Sequence, residues 1–134
     1  GLQAAILSVK LKYIVAWREA RYLNALKYND YLKDINGIIV PKIRRNVKHV
    51  FHLYVIKVND RSFIQERLKE AGISSGIHYP TPLPFLNAYK YLNHKPSDFP
   101  VSYEYKDKIL SLPMYPELSE KNIIKIQKVL NSCI

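Results

Sequence analysis

Apolar positions in the first third of the chain recur at helical spacing. Leu2, Ile6, Val9, Tyr13 and Trp17 step by four, three, four and four, which places one stripe on one helix face. No Pro or Gly interrupts before Gly37, so the pattern predicts helix from residue 2 to about 34, with Leu23, Leu26 and Leu32 extending it. Asn36-Gly37 is the expected stop, with Gly supplying a left-handed position. Ile38-Ile39-Val40-Pro41 then reads as a short β-type run closed by Pro. His52 to Val58 is β-branched and aromatic, and apolar nearly throughout. It is the strongest strand pattern in the chain, and its continuity predicts cover on both faces. Ser62-Phe63-Ile64-Gln65 fits a capping box opening a helix with Phe63, Ile64, Leu68 and Ala71 inward and Gly72 at its end. Gly76-Ile77-His78-Tyr79 reads as a second strand, followed by Pro80, Pro82 and Pro84, which force extended backbone. Residues 87–92 form a helical turn, about 101–110 a further helix, and 112–116 an extended segment. Ser119 caps a last helix carrying Ile123, Ile126, Val129 and Leu130.

This order predicts an α+β fold. A long N-terminal helix precedes a short, mainly antiparallel sheet of about three strands backed by helices. The 134 residues suit one domain, divided into a linking helix over 1–36 and an α+β unit over 37–134. The chain opens Gly1-Leu2-Gln3-Ala4-Ala5-Ile6-Leu7, without an initiator Met and already in helical rhythm, so a piece of a longer protein is expected. Hydrophobic residues at 48% and charged residues at 24% exclude disorder from low hydrophobicity. One Cys, Cys133, excludes an internal disulfide framework and a Cys-based zinc cage. No apolar run reaches the roughly 20 residues of a membrane span, and the expected setting is reducing and cytoplasmic.

Charge opens a second reading. Lys and Arg total 21 against 11 Asp and Glu, a formal net charge of +10. A stand-alone basic module for anions or nucleic acid is therefore the alternative function, and eleven Tyr offer stacking surfaces. The basic residues are scattered along helical segments among Glu19, Asp30 and Asp34, which disfavours nucleic acid. Only Lys42, Arg44, Arg45 and Lys48 cluster, either as a solvated loop or as a phosphate-facing one. His49 and His52, three apart, point to opposite faces of a strand and make a poor metal pair. No metal site is expected. His78-Tyr79 closes a strand and enters a Pro-stiffened loop. Its imidazole and phenol either donate to phosphate or sugar oxygens or pack at the sheet edge.

Several motifs taken together resemble one family. Leu2-Gln3-Ala4-Ala5-Ile6-Leu7, Lys10-Leu11, Trp17 and the spacing Arg21, Ala25, Tyr28, Leu32 resemble its linking helix. His49 to Ile56 resembles a central strand of its small domain, and Gly72-Ile73 with Gly76-Ile77-His78-Tyr79-Pro80 its passage to the active site. Ala88-Tyr89 and Ile109 to Leu118 complete the order. The family is the DegT/DnrJ/EryC1/StrS sugar aminotransferases, fold type I enzymes that use pyridoxal 5'-phosphate. The resemblance implies the small C-terminal domain of such an enzyme. The large domain that binds most of the cofactor, and carries its lysine, would lie upstream. No catalytic nucleophile or base is then assigned in these residues, and the fragment alone would be inactive. The implied reaction moves an amino group from an amino acid, usually glutamate, to a nucleoside-diphosphate keto-sugar, as in amino-deoxy-sugar, surface-polysaccharide or antibiotic-sugar biosynthesis. The 3-amino hexose branch is the nearest in form, and the implied assembly is a homodimer. The family resemblance assigns His78 and Tyr79 to the substrate. Many relatives place His where Pro84 follows Pro82-Leu83 here, so any contact made by that His is absent or replaced.

Overall fold

Tyr54, Ile56 and Val58 point to one side of an extended run and are buried, while Val55 and Lys57 between them are half-buried. The expected cover on both faces is thus complete on one face only, and that alternation orients the whole fold. The computed structural model describes residues 1–134. Strand β1 (Tyr54–Lys57) pairs antiparallel with β2 (Ile109–Leu112), with Tyr54 opposite Leu112 and Lys57 opposite Ile109. One isolated bridge extends the pairing on each side: Ile39 to Lys57 beyond β1, and Gly76 to Ser111 beyond β2. All pairings are antiparallel. The α+β class holds, but the expected strands at 38–41 and 76–79 shrink to these single bridges. Pro41 and Pro80 close both runs and have no amide hydrogen to continue a ladder.

Five α-helices accompany the sheet: α1 (Leu2–Leu11), α2 (Ile14–Leu32), α3 (Arg61–Glu70), α4 (Pro100–Tyr105) and α5 (Glu120–Asn131). The core lies between the sheet and three of them. Ala25, Tyr28 and Leu32 come from α2, Ile64 and Leu68 from α3, and Ile123, Ile126 and Leu130 from α5. They close on Tyr54, Ile56, Leu110 and Leu112. The rings of Tyr28 and Tyr54 stack with centroids 4.6 Å apart. Burial pushes both phenols above their ordinary range. Each keeps a partner: Tyr28 donates to the Pro113 carbonyl at 3.0 Å, and Tyr54 to Asn29 Oδ1 at 2.7 Å.

The expected single helix divides at Lys12-Tyr13, where the amides of both residues bond carbonyls three positions back. Tyr13, Ile14 and Val15 have weak helix propensity at that point. Every residue of α1 is exposed, so its apolar stripe meets nothing within this chain. Three further boundaries move. Asp60, not Ser62, caps α3, accepting from the Phe63 amide at 3.0 Å. Helix α4 ends at Tyr105, and residues 109–112 are strand because Leu110 and Leu112 alternate into the core. The extended segment expected over 112–116 therefore begins earlier, at Ile109. Phe51 is left-handed at φ 44°, and β1 starts at Tyr54 rather than at the expected His52. Ser119 caps α5 as expected, accepting from the Asn122 amide at 3.3 Å.

The far sheet face is partly covered by α4. Lys57 Nζ stands 4.5 Å from the Tyr105 ring centroid, and Glu104 takes both Lys57 at 3.2 Å and Lys108 at 3.1 Å. Helices α2 and α5 are joined at the surface by Glu120, which accepts from Lys27 at 2.8 Å and Tyr31 at 2.7 Å.

Two outcomes follow from this packing. Tyr28→Phe leaves the Pro113 carbonyl without its donor and is expected to cost about 1–2 kcal/mol in urea denaturation; an unchanged midpoint contradicts the assignment. Lys27 and Tyr31 hold the Glu120 carboxyl below its ordinary value of 4.5. The unfolded chain therefore takes up this proton first, and the stability from Glu120 is lost as pH falls from 4.5 through the lower folded value. Glu120→Gln should flatten that part of the stability–pH profile, and a profile of unaltered slope counts against the pairing.

Candidate functional site on the far sheet face

Ser111 lies between Leu110 and Leu112 on β2, so its side chain points away from the core onto the far face. It is nevertheless buried, at 4% exposure. Its backbone exchanges two hydrogen bonds with Gly76, at 3.0 and 2.8 Å. Two residues beyond Gly76 the chain presents His78, whose Nδ1 lies 2.9 Å from Ser111 Oγ. His78 Nε2 has no hydrogen-bond partner in the chain, and His78 is exposed. Tyr79 projects further, at 72% exposure, with its ring edge-on to the imidazole at 5.7 Å. One face thus carries an anchored imidazole beside a free phenol.

The proline-rich segment that follows is stiffened by its own aromatic cluster. Phe85 packs edge-on against Phe99 at 6.4 Å and Tyr103 at 5.3 Å, and His94 meets Phe99 at 5.0 Å. Around this cluster Leu83 and Tyr91 stay exposed.

Arg44 and Arg45 lie elsewhere. The Val47 amide bonds the Arg44 carbonyl at 3.3 Å across a turn with Asn46 left-handed at φ 63°. Both arginines are exposed. Their loop leaves the Ile39 edge of the sheet, whereas His78 leaves the Gly76 edge, so the chain does not bring the two groups together. His49 serves its own loop, its Nδ1 accepting from the Phe51 amide at 3.0 Å. No three His, Cys, Asp or Glu side chains gather as a metal site, and no helix is long and apolar enough to cross a membrane.

Ser111 and Gly76 are the site residues that sequence reasoning missed. A polar residue between two apolar ones in Leu110-Ser111-Leu112 was the available signal for strand alternation. The positive charge is also spread out. Lys27, Lys33, Lys48, Lys57, Arg67 and Lys108 each meet a carboxylate within 4 Å.

The model of the DegT/DnrJ/EryC1/StrS aminotransferase family matches residues 1–131. The chain belongs to that family. Among its relatives, the erythromycin biosynthesis sensory transduction protein EryC1 of Saccharopolyspora erythraea is 38% identical over 120 residues, covering 90% of this chain and 33% of the relative. The dTDP-3-amino-3,6-dideoxy-alpha-D-galactopyranose transaminase of Aneurinibacillus thermoaerophilus is 33% identical over 130 residues, covering 97% of this chain and 35% of the relative. The crystal structure of a DegT DnrJ EryC1 StrS aminotransferase from Brucella abortus superposes with a TM-score of 0.89 at 37% identity, covering 97% of this chain and 34% of that one. The chain therefore spans about a third of the length of the relatives it matches. Its fold is that of a small C-terminal aminotransferase domain.

Aminotransferases of the DegT family depend on pyridoxal phosphate. The residues described do not make a cradle for it. A Schiff-base lysine needs its amine pKa lowered, whereas Lys57 is raised by its hydrogen bond to Glu104. Lys27 is engaged by Glu120 at 2.8 Å, and Lys125 donates to the Ala71 carbonyl at 2.7 Å.

Proposed function

We propose that this chain is the substrate-facing small domain of a pyridoxal-phosphate-dependent aminotransferase. The enzyme would move an amino group from an amino acid, glutamate in our reading, to a nucleoside-diphosphate keto-sugar. The observation that carries the proposal is the pairing of an anchored His78 with an exposed Tyr79 on the far sheet face. The dTDP-amino-sugar named for the Aneurinibacillus relative supports this substrate class and amination at the 3-position of a hexose. Amino-deoxy-sugar, polysaccharide or antibiotic-sugar biosynthesis would be its setting, in the cytoplasm.

Pyridoxal phosphate supplies the amino-transfer chemistry of the family. In our reading a large domain outside these residues holds the cofactor and its lysine, so residues 1–134 alone are inactive. Residues 1–36 would then link the two domains, and 37–134 would form the small domain. The chain's own part is to bind and orient the substrate. His78 and Tyr79 donate hydrogen bonds to sugar or phosphate oxygens. Arg44 and Arg45, exposed and at the opposite edge, are a second candidate contact to phosphate. Two copies of the enzyme would form a homodimer. The exposed stripe on α1 is consistent with burial in such a larger assembly.

The test uses the full-length holoenzyme and calorimetric titration with dTDP-glucose and UDP-glucose as probes. His78→Ala is expected to weaken the tighter-binding probe about tenfold. Cofactor content, read from absorbance, should stay unchanged. Wild-type protein that binds neither probe, or an unaltered Kd in His78→Ala, overturns the reading.

A further inference from the structure

The imidazole of His78 is confined from two directions. Its Nδ1 lies 2.9 Å from Ser111 Oγ, the only hydrogen-bond partner that Oγ has. Its ring lies over Gly76. A Cβ built on Gly76 would stand 2.8 Å from His78 Cε1, closer than such atoms approach. Gly76 does not have a positive φ, so its backbone does not require glycine and the space above it does. Gly76 and Ser111 are themselves bridged, and the seat is a single unit of the sheet.

Hydrogen accounting selects the tautomer. Ser111 is buried, and its hydroxyl carries one hydrogen. If that hydrogen goes to Nδ1, both groups are satisfied, and Nε2 carries the ring hydrogen. If Nδ1 carried it instead, the buried hydroxyl hydrogen would have no acceptor, a loss of about 1–3 kcal/mol. The Nε2 side has no partner in the chain and is left for an acceptor outside it.

We propose that Ser111 and Gly76 are positioning residues that seat the His78 imidazole as its Nε2–H tautomer, aimed as a donor to an oxygen of the nucleotide sugar. The proposal rests on the substrate reading above and adds the device that aims the group. Neither residue touches the substrate; both act through His78.

A double-mutant cycle on the full-length holoenzyme tests it, with the same nucleotide-sugar probe. Ser111→Ala is expected to raise Kd about three- to tenfold in the wild-type background and to leave it unchanged in the His78→Ala background. Gly76→Ala, which pushes the ring away, should show the same dependence on His78. A merely structural role would weaken binding equally in both backgrounds, and that result overturns the proposal. A weakened His78→Ala beside unaffected Ser111→Ala and Gly76→Ala overturns the positioning role while the substrate reading stands. An unaffected His78→Ala overturns both. Nitrogen NMR of the holoenzyme labelled at histidine, with His78 assigned by its loss in His78→Ala, reads the tautomer directly. Hydrogen on Nε2 is expected, and hydrogen on Nδ1 overturns the assignment.

Discussion

The segment Pro113-Met114-Tyr115 leaves β2 with carbonyl groups that no strand receives, and the fold depends on where those carbonyls go. Helix α2 takes them. Arg21 donates to the Met114 carbonyl at 2.8 Å, Asn24 to Tyr115 at 3.2 Å and Tyr28 to Pro113 at 3.0 Å. These are three positions on one helix face, at spacings of three and four, matched to three successive residues of extended chain. Each bond contributes only about 1 kcal/mol net, but a buried carbonyl left bare costs more. The result fixes the register of α2 against the end of β2. The Tyr28–Tyr54 stack is part of the same contact, so the helix that feeds the domain also orients its sheet.

That register reaches the site through β2. With Leu110 and Leu112 committed to the core, Ser111 must face the other way. Gly76 bridges it, and the imidazole of His78 covers both. Core packing and site geometry are thus opposite faces of one four-residue strand. The proline-rich segment beyond Tyr79 is held by ring contacts among Phe85, Phe99 and Tyr103 rather than by a backbone ladder, as expected where alternate prolines remove amide donors.

The net charge of +10 opens an alternative functional reading. In three dimensions it is dispersed. Many of the lysines close surface ion pairs of small individual worth, and the clustered Arg44 and Arg45 lie on an exposed turn at the sheet edge opposite His78. The proposed substrate contact rests instead on two adjacent residues, His78 held by Ser111 and Tyr79 exposed.

Local patterns in the sequence determined the helices of the core, the Ser119 cap and the strand around Tyr54. Each depends on neighbours within one turn or one pleat. The motifs from Leu2 to Leu118, in their order, were enough to place the chain in its family. Tertiary structure decided the rest. Residues 106–110 kept a pattern compatible with helix until pairing with β1 made 109–112 a strand. The runs at 38–41 and 76–79 were strands in pattern but found only single-residue pairing before Pro41 and Pro80. Ser111 was an ordinary serine until the sheet buried it beneath a histidine 33 positions away. A contact across that separation has no local periodicity to announce it, because it forms only when two strands and the core beneath them are already in register.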